Sequence, residues 1–86
     1  MTEIKLDTDK NYRLTKIHED GHYEVKMTGH LQNPEGIIKL EQRCIVGRGL
    51  STYWATSMVM DIEKVHNGVL LRTWNSVYLL EVYEPK

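Results

Sequence analysis

The sequence predicts an all-β domain, built as a small, strongly bent antiparallel sheet or half-open barrel of about five or six strands. Apolar and polar residues alternate over several short runs, as in strands with one buried face. Turn-forming residues separate these runs about every 8–12 positions. The length of 86 residues allows one domain, residues 1–86, with a modest core.

The first predicted hairpin joins residues 12–17 to residues 23–28. Asp20 and Gly21 lie between the two runs and favour a tight turn, because glycine readily adopts positive φ. Strict alternation in the second run predicts one face turned toward the core. A shift of parity near Ile17 indicates a β-bulge. The side chains expected on the buried face of the second run are Tyr23, Val25 and Met27.

The regions on either side of this hairpin are less regular. Residues 1–10 are predicted to form either a loose N-terminal arm or an edge strand. The stretch Asn33–Gly36 favours a turn, and a strand is expected over residues 37–46. Residues 50–65 carry both a four-residue apolar spacing and many β-branched residues. We interpret residues 58–65 as a strand, with a loop or one short helical turn over residues 50–56.

Two more strands are expected near the C-terminal end, over residues 69–73 and 77–83. Asn67 and Gly68 predict a primed hairpin turn before the first of them. Thr73, Asn75 and Ser76 are predicted to close the turn between the two strands, because their side chains can bond nearby backbone groups.

Charge and cysteine content restrict the function classes. Eleven Lys and Arg residues oppose twelve Asp and Glu residues, for a net charge of −1. A chain this balanced is not expected to coat nucleic acid by bulk attraction. The single cysteine, Cys44, excludes an internal disulfide and a zinc site built from cysteines. With no apolar leader or membrane-spanning run, the predicted location is the cytoplasm.

No catalytic pattern emerges, so the chain is predicted not to be an enzyme and to need no cofactor. Cys44 lies within an apolar run, where a thiol usually packs as a small hydrophobic group. His18 and His22 flank the predicted Asp20–Gly21 turn, and their spacing is typical of polar turn residues rather than of metal ligands. We therefore expect no metal site.

Binding to another protein is the predicted activity, because aromatic and arginine side chains dominate the energetics of protein interfaces. A nucleic-acid-binding barrel is the first alternative, since the same side chains can stack on bases and contact phosphates. A homo-oligomeric structural subunit is the second. The partner and the oligomeric state stay open. The candidate binding residues are Arg48, Leu50, Tyr53, Trp54, Arg72 and Trp74.

The C-terminal half also resembles a known group of sequences. The motifs are Thr56-Ser57-Met58-Val59, then Ile62, then Asn67-Gly68, then the run from Thr73 to Leu80. This pattern, over about residues 44–83, resembles the ending of short phage and prophage proteins of unassigned function. The resemblance implies an all-β fold and a viral origin, and it transfers no active site. Trp74 and the pair Tyr53-Trp54 depart from the pattern and are candidates for a surface particular to this chain.

Overall fold

Nine β-strands and one 3-10 turn form the regular structure of residues 1–84, which are the residues that this computed structural model describes. The 3-10 turn is Pro34–Gly36. The strands are β1 (Glu3–Lys5), β2 (Tyr12–Ile17), β3 (Tyr23–Leu31), β4 (Ile37–Lys39), β5 (Ile45–Gly47), β6 (Tyr53–Ala55), β7 (Val59–Val65), β8 (Gly68–Thr73) and β9 (Val77–Val82).

The described strands form two antiparallel sheets. One has the order β6-β5-β3-β2-β9-β8-β7, and the other pairs β1 with β4. The larger sheet is not closed into a barrel. Its edge strand β7 contacts the segment between β4 and β5, because Val59 bonds through its backbone to Glu41 and Gln42. The prediction of a bent, all-β fold is confirmed, with more strands than expected. No helix within residues 1–84 is long and apolar enough to span a membrane.

Alternate residues of the central strands build the core. Leu14 lies opposite Leu80, and Ile62 lies opposite Leu71, and all four side chains are buried. This follows from the period-two geometry of a strand, which sends every second side chain to one face. The small β1–β4 sheet adds Ile38 to the same cluster. Of the two alternatives predicted for residues 1–10, a loose arm or an edge strand, the structure has the strand, since β1 pairs with β4.

Two predicted elements in the middle of the chain are wrong. Residues 37–46 form two strands in different sheets, because the chain reverses at Glu41, whose φ is 64°. A loop or one short helical turn was the expectation for residues 50–56; residues 50–52 form a bend without a helical turn, and residues 53–55 form the strand β6, which was not predicted. The helical turn of the described chain lies instead at Pro34–Gly36. The predicted strand over residues 58–65 is confirmed as β7.

The hairpin between β7 and β8 has a different turn from the one predicted. Val65 pairs with Gly68, so the two turn residues are His66 and Asn67, and neither has a positive φ. Gly68 is the first residue of β8. A Cβ atom at this position would lie 2.1 Å from the carbonyl oxygen of Leu80 on β9. Glycine is thus required here by close strand packing rather than by turn geometry.

The buried face predicted for residues 23–27 is also wrong, because of a bulge. Leu14 pairs with Met27 and Thr15 pairs with Val25, which leaves Lys26 without a partner across the β2–β3 ladder. One extra residue reverses the alternation of a strand. Met27 therefore packs against the core, whereas Val25 and Tyr23 are turned to the other face. The sequence had placed the bulge near Ile17 on the neighbouring strand.

Candidate functional site

An apolar band crosses the outer face of the larger sheet, opposite the core. The pairing of β3, β2, β9 and β8 aligns Val25, Thr15, Leu79 and Leu70 in one row. A second row aligns Tyr23, Ile17 and Val77. We define the outer apolar band as Ile17, Tyr23, Val25, Leu70, Val77 and Leu79.

Exposure is concentrated at the β3 end of this band. Tyr23 is 66% exposed and Val25 is 54% exposed, while the other members are half-buried. The sequence analysis missed the band, since the alternation around Tyr23 and Val25 predicted burial. Only the bulge at Lys26 places them outside, and a bulge inside an alternating run leaves no clear signal in the sequence.

An open groove of about 790 Å³ continues the band at one end of the sheet. It lies between the β2–β3 turn and the β8–β9 turn, which are neighbours because Ile17 pairs with Val77. Both of these residues line the groove and belong to the band. Trp74 stands in the β8–β9 turn and is 72% exposed. The groove and the outer apolar band therefore form one continuous surface.

Hydrogen bonds hold the turn that carries Trp74. The Ser76 backbone N–H donates to the Thr73 hydroxyl at 3.2 Å, and this hydroxyl donates to the Ser76 carbonyl at 3.0 Å. The Trp74 backbone N–H donates to the Met58 carbonyl. Asn75 completes the turn. The indole is therefore exposed, while the turn that carries it is closed by Thr73 and Ser76 and bonded to the segment before β7 through Met58.

The opposite turn, residues 18–22, is also ordered by its side chains. An Asp20 carboxylate oxygen accepts the His22 backbone N–H at 3.0 Å, and hydrogen bonds from His22 lower the pKa of Asp20. The rings of His18 and His22 stack with centroids 4.0 Å apart. Gly21 has a φ of 90°, as predicted for this turn. No set of three or more His, Cys, Asp or Glu side chains in the described chain is arranged to hold a metal.

Carboxylates outnumber cations at the rim of this surface. Arg72 donates hydrogen bonds to Asp61 at 2.8 Å and to Glu63 at 3.3 Å. The bond to Glu63 makes the larger contribution, and together the two bonds raise the pKa of Arg72. Glu19 and Asp20 line the groove on its other side, together with one lysine, Lys16. The rim thus has two cations and four carboxylates, which gives it a negative potential.

The six candidate binding residues do not form one surface. Arg72 and Trp74 lie at the groove, but the other four lie on or beside β5 and β6, and four strands separate β6 from β8. Leu50 is fully exposed and Tyr53 is half-exposed. None of these four residues lines the groove.

Trp54 belongs partly to the core side of the sheet. It pairs with the buried Val46 and so lies on the same face of the sheet. The Lys26 ammonium lies 4.8 Å from the centre of its ring, within range of a cation–π contact. One face of this indole is thus already occupied by a side chain of the same chain.

Cys44 lies inside the core and not in the groove. Burial raises the pKa of its thiol to about 12. The thiolate is the reactive form of cysteine, so this environment opposes nucleophilic chemistry.

Comparison with known proteins adds no functional assignment. No protein-family model matches the chain, and neither a curated protein nor a solved structure matches it.

Proposed function

We propose that this chain is a phage-type accessory protein of the host cytoplasm that binds another protein stoichiometrically and without catalysis. The contact surface is the outer apolar band with its groove. The single observation that carries the proposal is the exposure of Tyr23, Val25 and Trp74 along one continuous surface of a hydrogen-bonded sheet.

The energetics of association favour such a surface. Large aromatic side chains supply most of the binding energy at protein interfaces. An apolar patch that spans several strands is also uncommon on a surface with no binding role. Because the sheet and the Trp74 turn are held by backbone hydrogen bonds, little conformational entropy is lost when a partner docks.

The charges at the rim favour a protein partner over nucleic acid. Glu19 and Asp20 line the groove, and Asp61 and Glu63 pair with its Arg72, so a phosphate backbone would be repelled there. Lys26 covers one face of Trp54, which limits stacking of a base on that ring. The expected partner is a protein surface with an apolar centre and Lys or Arg residues around it.

A binding experiment with matched variants tests this proposal. The tagged protein and the variants Val25→Ser, Trp74→Ser and Leu50→Ser would be incubated with bacterial lysate and the retained proteins compared. Leu50→Ser is the control, because Leu50 is fully exposed and outside the band. We expect one protein to be retained by the wild type and the control and lost with the two band variants. Calorimetry with that purified protein should then give a fixed stoichiometry.

Three results would count against the proposal. The first is a set of retained proteins that is the same for all four forms. The second is oligonucleotide binding that weakens as salt rises, which would favour the nucleic-acid alternative. The third is a multimer that resists dilution and is disrupted by Val25→Ser, which would assign the band to self-association.

A further inference from the structure

Arg48, on the loop after β5, is held by one edge of its guanidinium group. Its Nε donates to the Thr28 carbonyl at 2.9 Å, and its Nη2 donates to the Thr28 hydroxyl at 2.8 Å. These two donors form one fork of the planar group. The second fork, formed by Nη1 and the remaining Nη2 proton, makes no hydrogen bond to residues 1–84.

The backbone around Arg48 fixes this orientation. The Arg48 N–H donates to the Thr52 carbonyl at 2.8 Å, which closes the β5–β6 loop. A Cβ atom at Gly29 would lie 2.3 Å from the Gly47 carbonyl oxygen, so glycine is needed for β3 and β5 to approach here. Because β3 and β5 approach closely here, Arg48, which follows Gly47, lies within hydrogen-bond distance of Thr28.

Arg48 differs from Arg13 and Arg72 in its charge balance. Arg13 pairs with Glu81, and Arg72 pairs with two carboxylates. Arg48 has no carboxylate within 4.0 Å in the described part of the chain. Its contacts are with the neutral groups of Thr28. A net positive charge therefore stays on the available fork.

This arginine lines a pocket of about 480 Å³. Two other lining residues, Asn11 and Tyr83, carry an amide and a hydroxyl that can donate hydrogen bonds to an anion, whereas the Nδ1–H of His30 is already donated to the Thr8 carbonyl at 3.2 Å. The remaining lining residues are Thr28 and Gly29.

We propose that this pocket binds a carboxylate group through the available fork of Arg48. Two parallel N–H donors match the two oxygens of a carboxylate, and a single cation matches its single charge. The carboxylate can belong to a small free acid or to the C-terminus of a peptide. The site does not rest on the proposed function, since its pocket shares no residue with the outer apolar band.

Nuclear magnetic resonance with labelled protein tests the site directly. Sodium acetate would be titrated at constant ionic strength, with sodium chloride as the reference. We expect saturable shifts of the Arg48 Nε–H signal and of the Thr28, Gly29 and Tyr83 amides. A short peptide with a free C-terminus, compared with its amidated form, separates a peptide source from a small acid. Shifts identical in acetate and chloride would overturn the proposal, and tighter binding of inorganic phosphate would overturn the carboxylate assignment.

Variants connect these shifts to the geometry. Arg48→Gln should weaken acetate binding by about tenfold or more, because a charge-assisted pair of hydrogen bonds is lost. Arg43→Gln is the matched control, since Arg43 also has no carboxylate partner among the described residues but lies outside the pocket. Thr28→Val keeps the charge and removes one anchor, and it should weaken binding severalfold. Unchanged affinity in both Arg48→Gln and Thr28→Val would contradict the site.

Discussion

The Ser57 hydroxyl donates a hydrogen bond to the Thr73 hydroxyl, 2.8 Å away, and this bond joins the segment before β7 to the end of β8. The Thr73 hydroxyl also bonds both the N–H and the carbonyl of Ser76. Three hydroxyl-bearing residues, Ser57, Thr73 and Ser76, thus take part in one network. This network connects the segment before β7 to the β8–β9 turn.

Replacing Thr73 with valine tests the contribution of this network. Thr73→Val keeps the shape of the side chain but leaves the Ser57 hydroxyl and the Ser76 backbone N–H without a partner, while the Ser76 carbonyl still accepts the Thr73 backbone N–H. We expect the free energy of unfolding to fall by about 1–3 kcal/mol, measured by urea denaturation. Thr52→Val is the control, because the Thr52 side chain makes no hydrogen bond among residues 1–84. Equal stability of the two variants would show that the network contributes little.

Gly68 provides a test of strand packing. Gly68→Ala would place a Cβ atom against the Leu80 carbonyl oxygen, so β8 and β9 would have to separate. We expect a loss of at least about 2 kcal/mol in the free energy of unfolding, from the same denaturation measurement. Gly49→Ala, where a Cβ atom meets nothing within 4 Å, should change stability by less than about 0.5 kcal/mol. A tolerated Gly68→Ala would contradict this explanation of the glycine.

Local alternation was enough to predict the strands that pair with near neighbours. The strands β8 and β9 have period-two patterns that the packing preserves. Register shifts interrupt the alternation in β3 and in β7, where the buried residues Val59 and Ile62 are three positions apart. The prediction of one strand over residues 37–46 was wrong, because the alternation of apolar residues does not show where the chain reverses. Its apolar residues supply two sheets, and the reversal depends on the positive φ of Glu41, a residue type without a strong preference for that conformation.

The candidate site could be predicted only in part. Trp74 and Arg72 were identified by residue type, and both lie at the groove. Tyr23 and Val25 were not, because the bulge at Lys26 reverses the side-chain direction after a run that looks regular. The sequence analysis also grouped Trp54 with Trp74 and Arg72, but the pairing of Trp54 with Val46 turns its side chain to the core side of the sheet. The order of the strands in the sheet decides which aromatic residues share a surface, and local sequence patterns do not reveal that order.

The reactivity of Cys44 follows from its burial. With a thiol pKa of about 12, the thiolate fraction at about pH 8 is on the order of a thousandfold lower than for an ordinary cysteine. We expect the native protein to react with a disulfide reagent far more slowly than the same protein in concentrated urea, followed by absorbance. Fast reaction of the native form, at the rate of the unfolded chain, would contradict the buried position.

Glu24 gives a prediction for pH dependence. A hydrogen bond from Lys26, at 2.7 Å, and one from His18 lower its pKa to about 2. Because this is below the ordinary value of about 4.3, the interaction contributes fully to stability above that value. The contribution is lost as pH falls toward 2. Carboxyl NMR titration should give a low midpoint for Glu24, which Lys26→Met raises and the control Lys64→Met leaves unchanged. A midpoint near the ordinary value in the wild type would show that the exposed pair is too well screened by solvent to favour the charged form.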